Sequence, residues 1–178
     1  MTLFDKIVKA QDNLDGVVLK TPLQFSINLS EKFQASIYLK REDLQQVRSY
    51  KIRGAYNKIS HLNAQQKTKG IVCASAGNHA QGVAYSCQVL QIQGKIYMPK
   101  TTPKQKIKQV QLFGKSFVEI VLIGDTFDDA FHAAKQFSID NQLEFIHPFD
   151  DLEVIAGQGT VGLEILSEQI PKIDYVLL

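Results

Sequence analysis

Short apolar runs alternate with longer helical segments through most of the chain, and this alternation limits the possible folds more than any other feature. Five apolar runs have the length of buried strands, near residues 71–74, 95–98, 117–123, 145–147 and 175–178. Helical periodicity is found between them, near residues 51–62, 78–91, 103–113, 125–140 and 152–168. Because parallel strands need crossovers of this length, the pattern predicts βαβ units, an α/β fold and a mostly parallel sheet.

The composition excludes several classes of function. With 178 residues, 44% of them hydrophobic, the chain can bury one core or two lobes. A net charge of +2 on scattered Lys and Arg gives no reason to expect a nucleic-acid partner. No signal peptide and no run of about 18 apolar residues is present, so we expect no membrane partner and a cytoplasmic location. Cys73 and Cys87 lack zinc spacing, so we predict two buried free thiols and no metal site.

One lysine is set apart by its position between a predicted strand and a predicted helix. Lys51 follows Ser49 and Tyr50, at or near the start of that helix. The positive end of the helix dipole disfavours the protonated amine there, and so favours the neutral nucleophile that Schiff-base chemistry needs. An ordinary surface lysine on an amphipathic helix is the simpler interpretation, and the local chemistry alone favours it.

A second stretch follows the apolar run at residues 71–74. Ser75, Ala76, Gly77, Asn78 and His79 lie where a strand turns into a helix. Free backbone N–H groups and the helix dipole at such a turn suit an anion. Ser75 and Asn78 are also good helix-capping residues, and Gly77 is an ordinary turn residue, so a plain turn is the alternative.

Together the two stretches resemble the signatures of the serine/threonine dehydratases, which are pyridoxal-phosphate (PLP) enzymes with the tryptophan-synthase β fold. The resemblance extends from about Thr21 to the last residue and includes residues 40–45, 147–151 and 157–160. Within the family, residues 41–45 resemble the biosynthetic threonine dehydratases more than their catabolic relatives.

The resemblance implies a tryptophan-synthase β-like, fold type II PLP enzyme with mostly parallel sheets in two lobes. Residues 1–66 and 149–178 would belong to a large PLP-binding lobe, and residues 67–148 would form a small lobe that closes on the substrate. The sequence stops at the apolar run 175–178, with no polar residue, turn or cap behind it. We therefore expect the first part of a catalytic domain, truncated after Leu178 and catalytically incomplete.

The resemblance also implies roles for single residues. Lys51 would be the catalytic residue, which binds PLP covalently and then removes the Cα proton of the substrate. Asn78 would bond the 3′ oxygen of PLP, and Tyr50, where relatives usually have phenylalanine, would pack near its ring. The residues expected to bind the α-carboxylate of the substrate are Ser75, Ala76, Gly77, Asn78 and His79.

Four neighbouring features have competing interpretations. His79 has a near-neutral pKa that suggests a general base, but the resemblance gives that role to Lys51, so we expect a packed histidine. Arg53 could clamp a substrate, although a structural salt bridge is the better expectation one turn into the helix. Ser49 could bond near the lysine or cap the helix. Residues 157–160 lack the glycines and lysine of a nucleotide phosphate loop, so we expect a close-packing turn in a helix.

By the same resemblance, the expected reaction is the PLP-dependent conversion of L-threonine to 2-oxobutanoate and ammonia, the first step of isoleucine biosynthesis. The full-length protein is expected to be a homo-oligomer that acts on this small amino acid. A serine dehydratase or serine racemase shares both stretches and remains open, because one methyl group gives only about 1–3 kcal/mol of discrimination. The other alternative is a non-catalytic fragment that binds no cofactor.

Overall fold

The computed structural model describes residues 1–170 and 172–177, and within them it confirms the predicted α/β alternation. The helices are α1 (Leu3–Leu14), α2 (Ile27–Phe33), α3 (Lys51–Ser60), α4 (Ala64–Lys69), α5 (Asn78–Leu90), α6 (Lys104–Gly114), α7 (Phe127–Asn141) and α8 (Leu152–Ser167). The strands are β1 (Leu23–Phe25), β2 (Tyr38–Lys40), β3 (Ile71–Ala74), β4 (Gly94–Met98), β5 (Val118–Leu122) and β6 (Glu144–Phe145). Short 3₁₀ turns lie at Glu42–Leu44 and Lys115–Phe117.

The four later strands form one parallel sheet in the order β5-β4-β3-β6, while β1 and β2 pair antiparallel. The pairing extends past the strand ends, since Ser75 N donates to Tyr97 O at 3.1 Å and Ile146 N donates to Val72 O at 2.8 Å. Because parallel strands end at the same edge, the segments that follow β3 and β6 lie side by side. This edge is where the candidate residues 75–79 begin.

Two apolar cores lie on the two faces of the sheet, because alternate residues of a strand point in opposite directions. Ile71 and Cys73 of β3 pack toward α5 and α6, whereas Val72 and Ala74 pack toward α7. Both cysteines are buried and free, as predicted. Burial raises the pKa of the Cys87 thiol to about 12 and also raises that of Cys73.

Helices α1, α3 and α8 pack against one another through glycines. A Cβ on Gly54 of α3 would lie 2.7 Å from the Val154 carbonyl oxygen of α8, and one on Gly159 would lie 2.7 Å from Ile7 Cδ1 of α1. At Gly54 the contact is with backbone, so only a residue without a side chain permits this approach. The prediction that residues 157–160 form a close-packing element within a helix is thus confirmed.

Two predictions about secondary structure need correction. Helix α4 was not predicted, because its six residues have no apolar stripe; Asn63 and Gln66 form a capping box at its start. The strand predicted at residues 175–178 does not form within the described part, residues 175–177, where Tyr175 is 89% and Leu177 is 94% exposed. Apolar character gives a strand only where a neighbouring strand accepts its hydrogen bonds. Leu178 lies outside the described residues.

Helix length and hydropathy give no membrane-spanning segment within residues 1–170 and 172–177.

Candidate active site

Lys51 is the first residue of α3, as predicted, and the residue is half-buried. Nζ donates a hydrogen bond to the Pro148 carbonyl oxygen at 3.2 Å and lies 5.2 Å from the centre of the Tyr50 ring. The carbonyl and the ring face are both weak, neutral partners, and no carboxylate pairs with this amine in the described structure. The amine is therefore oriented without being neutralised by an ion pair.

Residues 75–79 form the turn between β3 and the start of α5. Gly77 occupies the N-cap position of α5, and no side chain caps this helix. Neither Ser75 nor Asn78 acts as the cap that was considered, since Ser75 Oγ accepts the N–H of Gly77 at 3.2 Å and Asn78 is the first helical residue. The first N–H groups of α5 thus keep their capacity to bind an anion.

His79 lies in the first turn of α5 and is buried, with only 3% of its surface exposed. Its Nε2 donates to the Ile146 carbonyl oxygen at 3.1 Å. Burial lowers the pKa of His79 from 6.5 to about 4; the Ile146 carbonyl opposes this shift, and the charge of Lys51 adds to it. The ring is therefore neutral and packed, as predicted, and a proton-transfer role for it is not supported.

The two stretches meet through the segment that follows β6. Lys51 contacts Pro148 and His79 contacts Ile146, so the two helix starts contact the same short segment at different residues. The backbones are also close, because a Cβ on Gly82 of α5 would lie 2.9 Å from the Lys51 carbonyl oxygen. The fold thus brings the starts of α3 and α5 together beside residues 146–148.

The other candidate residues lie at this edge with different exposure. Ser75 is buried, Ala76 and Gly77 are half-buried, and Asn78 is exposed. Tyr50 is 41% exposed, so its hydroxyl needs no buried partner. Asn78 and Tyr50 can therefore reach a ligand outside the chain, while Ser75 supports the turn from below.

The expectation for Ser49 was wrong in both of its forms. Tyr50 occupies the N-cap position of α3, so Ser49 does not cap the helix. Its hydroxyl oxygen is buried and has no hydrogen-bond partner among the residues described. The amine of Lys51 instead bonds to the carbonyl of Pro148, which is 97 positions away in the sequence.

Arg53 is the centre of a buried ion-pair network directly behind Lys51, which confirms the expected structural salt bridge. Its guanidinium bonds Glu42 at 2.8 Å and Glu164 at 2.6 Å, and Glu164 also pairs with Lys40 at 2.5 Å. Burial opposes the charge of Arg53, but the two carboxylates raise its pKa overall. The pairs with Arg53 and Lys40 likewise lower the pKa of Glu164 against the effect of burial.

Sequence reasoning missed Glu164, Lys40 and the Pro148 carbonyl. A signal for Glu164 existed, because it shares one face of α8 with Gly157 and Thr160 at helical spacing, and a charged residue on a packed face needs a partner. The Pro148 carbonyl has no side-chain signal at all, since any residue would supply one.

The residues at this edge fit PLP. A half-buried lysine whose amine has no ion pair would suit the aldehyde of PLP, and an exposed aromatic ring would suit its ring, while the uncapped start of α5 is left for the anion of a substrate. Among the described residues, no cluster of three His, Cys, Asp or Glu side chains is placed to hold a metal ion.

Comparison with known proteins places this site in a family. A family model described as pyridoxal-phosphate dependent enzyme matches residues 14–178. The biosynthetic L-threonine dehydratase IlvA of Halalkalibacterium halodurans is 55% identical over 172 residues, which are 97% of this chain and 41% of that protein. The chain thus spans less than half the length of this relative.

Solved structures agree with this family. The processed form of threonine deaminase isoform 2 from Solanum lycopersicum has a TM-score of 0.85 at 45% identity, over 92% of this chain and 47% of that one. Maize serine racemase has a TM-score of 0.88 at 32% identity, over 96% of this chain and 50% of that one. The fold class predicted from the sequence is confirmed, and the chain belongs to the pyridoxal-phosphate dependent enzyme family.

Proposed function

We propose that this chain is part of a threonine dehydratase, a carbon–nitrogen lyase that converts L-threonine to 2-oxobutanoate and ammonia. The observation that supports it most is the Lys51 amine, held by the Pro148 carbonyl beside the uncapped start of α5. The similarity to a biosynthetic threonine dehydratase supports the substrate and a place at the first step of isoleucine biosynthesis.

PLP, when bound, supplies an electron sink for the charge that develops at the substrate Cα. Lys51 would hold it through the amine, Tyr50 through its exposed ring and Asn78 through its exposed amide. No metal has a role in this proposal.

Lys51 also has the role of the base in this proposal. Its amine would take the proton from the Cα of threonine. The contact with Pro148 supports this role, since a neutral carbonyl orients the amine and leaves it without a competing carboxylate. His79 does not take the proton, because its ring is buried and turned toward Ile146.

The turn at residues 75–79 binds the α-carboxylate of threonine in this proposal. Its members are Ser75, Ala76, Gly77, Asn78 and His79. Their contribution comes from backbone N–H groups at the positive end of α5. The space beside Gly77 supports this role, because a Cβ built there would meet no atom within 4 Å.

The lobe division is part of the same proposal. Residues 1–66 and 149–178 form the first and last parts of a large lobe, and residues 67–148 form the small lobe. The packing of α1, α3 and α8 against one another supports this division, and α3 also packs against α5 of the small lobe. A cytoplasmic location and a homo-oligomeric full-length protein rest on the resemblance to the family alone.

Serine racemase or serine dehydratase is the second candidate, because maize serine racemase fits this fold as well as threonine deaminase does. The higher identity to threonine deaminase, 45% against 32%, favours threonine. In the full-length protein, 2-oxobutanoate formed from L-threonine should exceed both pyruvate and D-serine formed from L-serine. Equal turnover of serine would contradict the threonine assignment.

A non-catalytic fragment is the third candidate, because the chain spans 41% of its relative. Borohydride reduction of the chain with PLP, followed by peptide mapping, separates this candidate from a chain that organises its cofactor site. We expect the pyridoxyl label on Lys51 and its loss in K51A. The matched control is K106A, which removes an exposed lysine of α6 and should leave the label unchanged. A label spread over many lysines would contradict an organised site.

A further inference from the structure

The turn at residues 147–150, between β6 and α8, is folded around a histidine ring. Nδ1 of His147 accepts the backbone N–H of Phe149 at 3.3 Å and that of Asp150 at 2.8 Å. A ring nitrogen that accepts hydrogen bonds carries no proton, so these contacts define His147 as the neutral tautomer protonated at Nε2. An aspartate or asparagine in an Asx turn folds the backbone in the same way, but only histidine can lose this capacity near neutral pH.

The same turn supplies the partner of the Lys51 amine. Pro148, directly after His147, presents the carbonyl that accepts Lys51 Nζ at 3.2 Å. The residue before the turn is fixed independently, because Ile146 N donates to Val72 O and Ile146 O accepts His79 Nε2. The position of the Pro148 carbonyl therefore depends on how the turn folds after Ile146, and His147 Nδ1 is the acceptor that folds it.

We propose that His147 is a positioning residue for Lys51. As a neutral ring it closes the 147–150 turn and holds the Pro148 carbonyl against the lysine amine, and on protonation it releases both. The value of this contact for catalysis rests on the proposed function, whereas the closure of the turn does not.

Aromatic rings surround His147. The ring centres of Phe131 on α7, Phe145 on β6 and Phe149 in the turn lie 5.8, 6.1 and 4.7 Å from that of His147. The charged and titratable groups that face it are Lys135 of α7, His79 of α5, and Asp150 and Asp151 before α8. This partly buried setting disfavours a charged imidazole, because the rings replace some of the water that would solvate the charge.

The direction of the pH dependence follows from this setting. Burial lowers the pKa of His147, with Asp150 opposing the shift and Lys135 adding to it. Protonation thus occurs below the usual value of 6.5. Nδ1 then becomes a donor that faces two backbone donors, so both hydrogen bonds of the turn are lost together.

Two substitutions separate the acceptor from the ring. H147N keeps an oxygen that can accept both N–H groups at every pH, but it loses the aromatic packing. H147F keeps the packing against Phe131, Phe145 and Phe149 but accepts no hydrogen bond. If the turn depends on the acceptor, H147N behaves as neutral wild type and H147F as protonated wild type.

The test is NMR on the ¹⁵N-labelled chain, which follows the imidazole nitrogens of His147 and the exchange protection of the Phe149 and Asp150 amides from pH 8 to pH 5. Protection is corrected for the intrinsic pH dependence of exchange. In wild type it should fall on the order of tenfold as His147 gains its proton. In H147N it should persist across the range, and in H147F it should be absent throughout.

Three outcomes would overturn the proposal. The first is that the exchange protection of the two amides in wild type does not change as His147 titrates. The second is that H147F protects these amides as well as neutral wild type does. The third is that H147N loses the protection at the same pH midpoint as wild type. The wild-type titration and H147N decide the matter even if H147F does not fold.

A second readout links the turn to Lys51 and separates this inference from the proposed function. The ratio of Lys51 labelling by PLP and borohydride in wild type to that in H147N should fall on acidification, because only wild type loses the Pro148 contact. A constant ratio would contradict the positioning role. If the turn titrates as expected but wild-type Lys51 is not labelled at any pH, the proposed function fails while the closure of the turn by His147 stands.

Discussion

Helices α5 and α7 both follow strands of the same parallel sheet, yet they begin differently. At α7, Thr126 Oγ1 accepts the N–H of Asp129 at 3.1 Å, and the Asp129 carboxylate accepts the N–H of Thr126 at 3.0 Å. At α5, Gly77 occupies the N-cap position and no side chain caps the helix. A capping box satisfies the free N–H groups from within the chain, whereas an uncapped start leaves them for a ligand.

Helix α3 begins without a side-chain cap as well, and both uncapped starts are anchored slightly further along the helix. Arg53, the third residue of α3, bonds Glu42 and Glu164, and His79, the second residue of α5, bonds the Ile146 carbonyl. At both starts, a buried side chain in the first turn thus holds the helix in place, as a cap does elsewhere, but it leaves the free N–H groups without a side-chain cap. Three experiments test this difference between capped and anchored starts.

The largest effect is expected when the anchor of α3 is removed. R53M leaves Glu42 and part of Glu164 buried without their cation, and we expect a loss of about 3–5 kcal/mol in the free energy of unfolding, measured with urea. R41M is the matched control, because Arg41 pairs with Asp43 at the surface, and no measurable change is expected there. A small effect of R53M would mean that apolar packing alone holds α3.

The anchor of α5 should show itself as a dependence of stability on pH. The pKa of His79 is about 4 in the folded chain and about 6.5 when unfolded, so the unfolded state takes up the proton first as the pH falls. This stability is fully present above pH 6.5 and is lost on the way down to pH 4. The difference between wild type and H79Q should therefore shrink by about 3 kcal/mol over that range.

Urea unfolding at several pH values measures this difference. H132Q is the control, because His132 lies on the exposed face of α7, and its pH profile should match that of wild type. Parallel profiles for wild type and H79Q would show that the buried ring does not set the acid stability of α5.

The smallest effects compare the two helix starts directly. T126A removes the cap of α7 and should cost about 1 kcal/mol of unfolding free energy. G77A adds a Cβ into open space at the start of α5 and should change that free energy by less than about 0.5 kcal/mol. If T126A and G77A lost the same unfolding free energy, the space at the start of α5 would not be open. The two helix starts would then not differ as described.

Local signals in the sequence were sufficient for the elements that carry the site. The apolar run of β3 and the periodicity of α5 gave both elements within a residue or two, because a buried strand and a one-sided helix each leave a pattern. The strand expected at residues 175–178 does not form in its described part, residues 175–177, because pairing is not a local property. Helix α4 was missed because a capping box at Asn63 is its main signal.

The candidate site likewise contains some residues that the sequence could indicate and others that it could not. Lys51 and residues 75–79 could be singled out from the sequence because their side chains and glycines form recognisable stretches, and their roles stay predictions. The carbonyl of Pro148 could not be found, because a backbone oxygen has no residue-specific signal and its approach to Lys51 depends on the whole sheet. The buried network around Arg53 was predicted in part. The sequence indicated that Arg53 forms a salt bridge, but it did not indicate that Glu164 is the partner.

The contact between Lys51 and Pro148 also sets an order of events during synthesis. The two residues are 97 positions apart, so at about 5–20 residues per second the lysine is synthesised roughly 5–20 s before its carbonyl partner. Until β6 has joined β3, nothing distinguishes the Lys51 amine from the other lysines of the nascent chain. In the proposed function, Lys51 therefore becomes a selective attachment point for the cofactor only after the segment that follows β6 has been made.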